Sequence, residues 1–224
     1  MKKQLIAVVS ALAMTFTSLP CVSIAAENVP KPVLQYTFDG NKQLADKNGK
    51  NELKLSGGAS VTDDGNKGKG LLLDGTDGYA ELPDNILSSD MTITTWVKIN
   101  KFTTWGRVFD FGTDSNQNFF FAPYSSGASR VEIKNGATVD TMDCAQETAK
   151  EWVNYAITIK GDTVSYYRNG RLIKSKSGIK DISELTNTAN YIGKSHYDGD
   201  AYLSAGVYDF RLYNNSLSQD EILK

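Results

Sequence analysis

Between residues 152 and 176 the chain reads as three strand-like runs joined by two two-residue turns, and this pattern sets the fold class. The runs 153–160, 163–168 and 171–176 are rich in β-branched and aromatic residues, and Gly161-Asp162 and Asn169-Gly170 separate them. Glycine and asparagine reach the positive φ of a tight hairpin at little cost, so the three runs form an antiparallel meander. Asn135-Gly136 marks a further hairpin. Other strand-like runs lie at 33–38, 70–74, 91–99 and 206–213, and no helical period persists beyond one turn before the last residues. Many short strands with turn signals between them point to an all-β sandwich or barrel.

Alternation assigns the faces. Val153, Tyr155, Ile157 and Ile159 share one face, and Met91, Ile93, Val97 and Ile99 are in phase with one another. Tyr208, Phe210 and Leu212 alternate with Asp209 and Arg211. One apolar face per strand is what two packed antiparallel sheets require. Ser218, Gln219, Asp220 and Glu221 form a capping box, which predicts a helix start close to Lys224. That start is compatible with a continuing polypeptide or with a last turn that closes the sandwich.

The front of the chain reads as an export signal. Lys2 and Lys3 precede an apolar run, 5–19, and small residues Ser23, Ala25 and Ala26 follow. The expected division is a signal peptide over 1–26, a short linker over 27–32 and one domain over 33–224. Cys21 in a lipoprotein context is a weaker reading, because Pro20 precedes it. The remaining chain carries 22 basic and 26 acidic residues, a formal charge of −4. That balance gives it no electrostatic reason to seek nucleic acid or anionic lipid. Nothing after Leu19 is long and apolar enough to span a membrane, and Cys144 alone offers no disulfide framework.

The residues offer little for catalysis. His196 is the single histidine, so no multi-histidine zinc site can form. Ser195, His196 and Asp198 are too close in sequence for a triad, since neighbours on an extended strand point to opposite faces. Glycoside hydrolysis needs two carboxyl groups about 5–10 Å apart across a cleft. No Glu-x-Asp-x-x-Glu spacing occurs, and Glu81 and Glu132 read as outward-facing strand residues.

Two other constellations remain. Asp39 ends the first strand and Asp209 lies in the last, both out of phase with their apolar neighbours. If those strands pair, the two carboxylates meet near Asn41, a set of hard oxygen ligands suited to Ca2+. Two ordinary surface aspartates is the reading that stays open beside it. Asp46 and Asp74 are weaker candidates, as turn residues. The second constellation is aromatic. Trp105 and Arg107 fall at a loop-to-strand junction, and Tyr124 and Tyr197 fall in segments that read as loops. Rings beside polar groups are how proteins hold the C–H faces and hydroxyls of sugars. Trp96 has the polar phase of its strand, whereas Trp152, at a strand start, reads as structural.

The segments YTFDGN, GKGLLLDGTDGYAELP, MTITTWVKI, TTWGRVFDFGT, WVNYAITIKGDTVSYYRNGRLI and NYIGKSHYDGDAYLSAGVYDFRLYNNSLSQDEI occur in this order. Together they resemble the LamG-like, concanavalin-A-like domains of secreted bacterial proteins. The resemblance implies a two-sheet antiparallel jelly roll and a calcium ion near the first and last strands, at Asp39 and Asp209. It also implies a carbohydrate-binding or packing module beside a glycoside hydrolase of the arabinan or arabinofuranoside type. The function expected from the sequence is therefore a secreted, non-catalytic module for a polysaccharide, with Trp105, Arg107, Tyr124 and Tyr197 as its contacts. An accessory part of a hydrolase and an adhesive surface domain are the alternatives.

Overall fold

A computed structural model describes residues 29–64 and 66–224, so the expected signal peptide lies outside the described residues. Among the described residues, fifteen strands build two antiparallel sheets. In chain order they are β1 (Leu34–Tyr36), β2 (Lys54–Ser56), β3 (Ser60–Asp63), β4 (Lys69–Asp74), β5 (Tyr79–Leu82), β6 (Met91–Lys101), β7 (Phe109–Asp114) and β8 (Gln117–Ala122). There follow β9 (Ala128–Asn135), β10 (Thr138–Ala145), β11 (Trp152–Lys160), β12 (Thr163–Arg168), β13 (Arg171–Ser177), β14 (Ala189–Ile192) and β15 (Ser204–Tyr213). The larger sheet runs β13-β12-β11-β6-β15-β4-β3, with β1 added against β15. The seven-stranded sheet runs β10-β9-β8-β7-β14-β5-β2.

The expected meander is β11-β12-β13, and its turns fall at Gly161-Asp162 and Asn169-Gly170. Gly136 follows β9 into the third hairpin. The inner faces meet in one core. Leu71, Leu73, Ile93, Val97, Val153, Ile157, Val207 and Phe210 come from the larger sheet; Phe109, Phe111, Phe119, Phe121, Val131 and Ile192 come from the other. The first and last strands pair, with Tyr36 opposite Phe210 and Leu34 opposite Leu212. The capping box is formed, and Ser218 and Glu221 satisfy each other's backbone over α1 (Gln219–Ile222).

The phase expected in the last strand changes at one point. Between Tyr208 and Arg211 the register with β6 shifts, Tyr208 lying opposite Trp96 and Arg211 opposite Thr94. Two residues, Asp209 and Phe210, thus face one, which is a β-bulge. Asp209 takes φ 50° there. Val207 rather than Tyr208 shares the inward face with Phe210 and Leu212.

One polar strap secures the outer face of the larger sheet. Asp64 accepts the backbone N–H of Lys67 at 2.8 Å and of Asn66 at 3.0 Å, the Trp152 indole at 2.6 Å and the Lys98 ammonium at 3.3 Å. Trp152 is structural, as its position indicated. Burial opposes the charge of Asp64, but the Lys67 and Asn66 amides, with Trp152 and Lys98, hold its pKa down at about 2. The folded value lies below that of the unfolded chain, so this stabilisation is complete above about pH 4 and is lost as pH falls through about 2. Asp64→Asn should therefore flatten the decline of melting temperature between about pH 4 and pH 2, as read by circular dichroism. An unaltered decline would assign that acid sensitivity to other carboxylates.

Candidate functional site

The outward face of the seven-stranded sheet carries the polar and aromatic residues that its own alternation turns away from the core. In β8, Phe119 and Phe121 point inward and Phe120 points out; in β9, Arg130 and Glu132 point out beside it. Over this face runs the loop 193–203, between β14 and β15. Gly193 opens it with φ +94°, and a Cβ at that position would stand 2.8 Å from Leu73 Cδ1. Only glycine lets the chain leave the strand and fold back across the sheet at this point.

Asp110 pins that loop. This carboxylate, on β7, is 0% exposed. It accepts the His196 backbone N–H at 3.0 Å and the Asn118 amide at 3.1 Å. His196 Nδ1 stands 2.9 Å from Asp110 Oδ1, a close approach not aligned as a hydrogen bond. Arg107 Nε lies 3.6 Å from the other oxygen. Ser195 turns elsewhere and donates to Asp200 at 2.7 Å. Ser195 and His196 therefore serve different carboxylates, and no nucleophile–base pair forms between them.

Arg107 is the strut of the site. It is only 2% exposed, yet it donates to Asp200 at 2.9 Å and to the Trp105 carbonyl at 3.0 Å. Its guanidinium carbon lies 3.7 Å from the centre of the Phe120 ring, 5.2 Å from Trp105 and 5.9 Å from Tyr197. Burial pulls its pKa below the ordinary value, while Asp110 and Asp200 oppose that shift. Trp105 takes φ 64°, a conformation bulky residues rarely adopt. Its backbone N–H donates to the Tyr124 carbonyl at 3.0 Å, which with Arg107 fixes the outlier from both sides.

These residues enclose a cleft of about 270 Å3 lined by Trp105, Arg107, Phe120, Arg130, Glu132, Tyr197 and Asp200. Three of the four residues singled out from the sequence thus converge. Tyr124 does not: its ring packs on Phe102 at 5.4 Å, and only its carbonyl reaches the site's framework. Phe120, Arg130, Glu132 and Asp200 were not recognised as site residues. An outward Phe in the run Phe119-Phe120-Phe121, in phase with charged residues on the next strand, was the available signal.

The polar groups of the cleft are held in place by one another. Arg130 grips Asp143 through two bonds of 2.6 and 2.9 Å and reaches Glu132 at 3.4 Å. The Asp143 hydrogen bonds raise the Arg130 pKa, and Arg130 in turn lowers that of Asp143. Thr141 donates to Glu132, and Lys134 to the Tyr197 hydroxyl. Charges of both signs are matched, so the cleft suits a neutral, hydroxyl-rich ligand better than an ion.

The expected calcium ligands Asp39 and Asp209 each have partners of their own. Asp209, in its bulge, is held by Arg211 through both oxygens, at 2.5 and 3.0 Å, and by Gln35 at 2.8 Å. Asp39 accepts the Thr37 hydroxyl and lies 3.6 Å from Lys47; Asn41 follows in an exposed turn. Each carboxylate already has a cation of its own, so this donor set does not fit Ca2+ as it stands. Among the described residues no group of three or more His, Cys, Asp or Glu could hold a metal ion. Asp46 and Asp74 cap turns, accepting backbone N–H groups of Lys50 and of Thr76 and Gly78 respectively. Trp96 lies on the outer face of the larger sheet, with the Lys67 ammonium 3.4 Å above its ring.

Comparison with known proteins agrees with this architecture. An alpha-L-arabinofuranosidase of Bifidobacterium longum subsp. longum is 28% identical over 198 residues, covering 79% of this chain. The chain spans 18% of that enzyme's length. Domain 4 of AbnA, a GH43 extracellular arabinanase from Geobacillus stearothermophilus solved with arabinotriose, superposes with a TM-score of 0.75 at 21% identity. It covers 86% of this chain and 97% of that one. The binding domain of botulinum neurotoxin serotype D/C gives a TM-score of 0.70 at 15% identity, over 86% of this chain and 50% of its own. At these identities the two structures speak for the fold. Among the described residues no helix is long and apolar enough to cross a membrane. Residues 74–223 match the family described as the concanavalin A-like lectin/glucanases superfamily, and the chain belongs to it.

Proposed function

We propose that this chain is a secreted, non-catalytic carbohydrate-binding module that serves a glycoside hydrolase acting on arabinan or arabinofuranosides. The observation that carries the reading is the cleft of about 270 Å3, where Trp105, Tyr197 and Phe120 stand among rigidly paired Arg130, Glu132 and Asp200. Sugars offer apolar C–H faces for stacking and hydroxyls for charged partners, and this lining supplies both. The arabinofuranosidase resemblance, and the arabinotriose bound by the similar arabinanase domain, support arabinose polymers as the ligand class. Affinity is expected to be modest, since a shallow site buries little area.

Titration calorimetry with arabinotriose and linear arabinan tests the reading. Trp105→Ala should weaken binding by about tenfold or more, because truncating an aromatic anchor costs at least about 1.4 kcal/mol. Its thermal unfolding should stay cooperative. Equal affinity in wild type and variant would remove Trp105 from the site, and no binding of either sugar by wild type would end the assignment.

A further inference from the structure

The cleft occupies only one end of a longer feature. The registers of the seven-stranded sheet align Thr141, Glu132, Phe120, Asp110, Tyr191, Glu81 and Lys54 as one row, each opposite the next on the neighbouring strand. Six interstrand spacings of about 4.8 Å make that row about 29 Å long. Its middle, at Asp110, lies under the 193–203 loop; its two halves flank the loop. One half is the cleft at Phe120 and Glu132. The other is a depression of about 490 Å3 lined by Glu52, Lys54, Glu81, Asp84, Asn190 and Tyr191, among others.

This second half carries rings as well as polar groups. Tyr79 and Tyr191 meet edge to face with centroids 5.5 Å apart, and Tyr202 lies 6.1 Å from Tyr79. The Lys194 ammonium stands 4.5 Å from the Tyr79 ring centre and 4.6 Å from that of Tyr191. A notch of about 100 Å3 on the loop itself shares Tyr197 and Asp200 with the cleft, and its Lys194 and Tyr202 reach the tyrosine cluster. Lys194 thus connects the notch to the second depression through Tyr191, which lines the latter. Three acidic side chains and one lysine around the second depression disfavour an anionic ligand and offer acceptors and a donor to sugar hydroxyls.

We infer that the depression around Tyr191, Glu81 and Lys54 is a second carbohydrate subsite, so that the protein grips an internal stretch of a polysaccharide across the 193–203 loop. The inference rests on the cleft being a sugar site, and it adds that chain length is recognised. A trisaccharide covers only part of the row, whereas an octasaccharide can engage both halves as one multivalent ligand.

The experiment is titration calorimetry of the 27–224 chain with arabinotriose and arabino-octaose. Wild type should bind the octasaccharide about tenfold more tightly than the trisaccharide. In Tyr191→Ala that ratio should fall to about one. Tyr191 also supports the His196 ring, at 5.0 Å, so Glu81→Ala and Lys54→Ala serve as variants that leave the loop's packing intact. A ratio near one in wild type, or an undiminished ratio in all three variants, overturns the second subsite while leaving the cleft in place. Loss of both sugars from wild type overturns the cleft and the subsite together.

Discussion

Asp110→Ala should be the most damaging single substitution on the sheet face, lowering stability by about 3–5 kcal/mol in urea unfolding. The carboxylate is 0% exposed and faces Arg107 and His196 together. Removing it leaves the buried Arg107 charge between Phe120 and Trp105 with Asp200 as its one paired carboxylate among the described residues. It also frees the backbone of His196, and with it the loop that supplies Tyr197 and Asp200 to the cleft. Sugar binding should fall along with stability. Asp110→Asn keeps the shape and loses the charge, so it separates the two roles. A loss of stability below about 1 kcal/mol for Asp110→Ala would mean that Asp200 alone balances Arg107.

The second large effect belongs to Glu147, in the connection between β10 and β11. Its carboxylate is 1% exposed and accepts the hydroxyls of Tyr155 and Tyr166 and the Arg168 guanidinium. Both tyrosine rings pack against Phe121, at 5.1 and 5.2 Å, so this cluster closes one end of the core. Burial, and then the Glu147 charge, push both phenol pKa values up, which keeps them donors. Glu147→Ala leaves two buried hydroxyls without a partner and should cost about 3 kcal/mol. Tyr155→Phe should cost only about 1 kcal/mol, because the carboxylate keeps two donors. Chemical denaturation of the two variants side by side checks the ordering; equal losses would show that the carboxylate adds nothing beyond its bond to Tyr155.

Both predictions concern buried polar groups, whose partners lie far apart in the sequence. Seven of the strands, the three hairpins and the capping box were legible because each is local. A two-residue glycine turn or a Ser218–Glu221 pair carries its own geometry. Trp105 and Tyr197 stood out because rings in loop segments have no core to fill, and Arg107 because it stands beside Trp105 as a polar group. Tyr124 met the same criterion and failed it, because Phe102 lay within reach of its ring.

The amino-acid sequence by itself determined an all-β fold and most of its apolar faces, since alternation with period two and turn chemistry act between near neighbours. Whether the first and last strands pair was left to the tertiary structure, which sets Leu34–Tyr36 against Phe210–Leu212. Only the tertiary structure decided that Phe120, Arg130 and Glu132 join Trp105 and Tyr197 in one cleft. Residues 105–107, 120, 130–132 and 197–200 meet through strand register and a loop folded over Asp110. Register also decided the fate of Asp209. One extra residue in β15 turned that side chain toward Arg211 and Gln35. A bulge inverts the phase of every residue on one side of it, and no period-two pattern records where it falls.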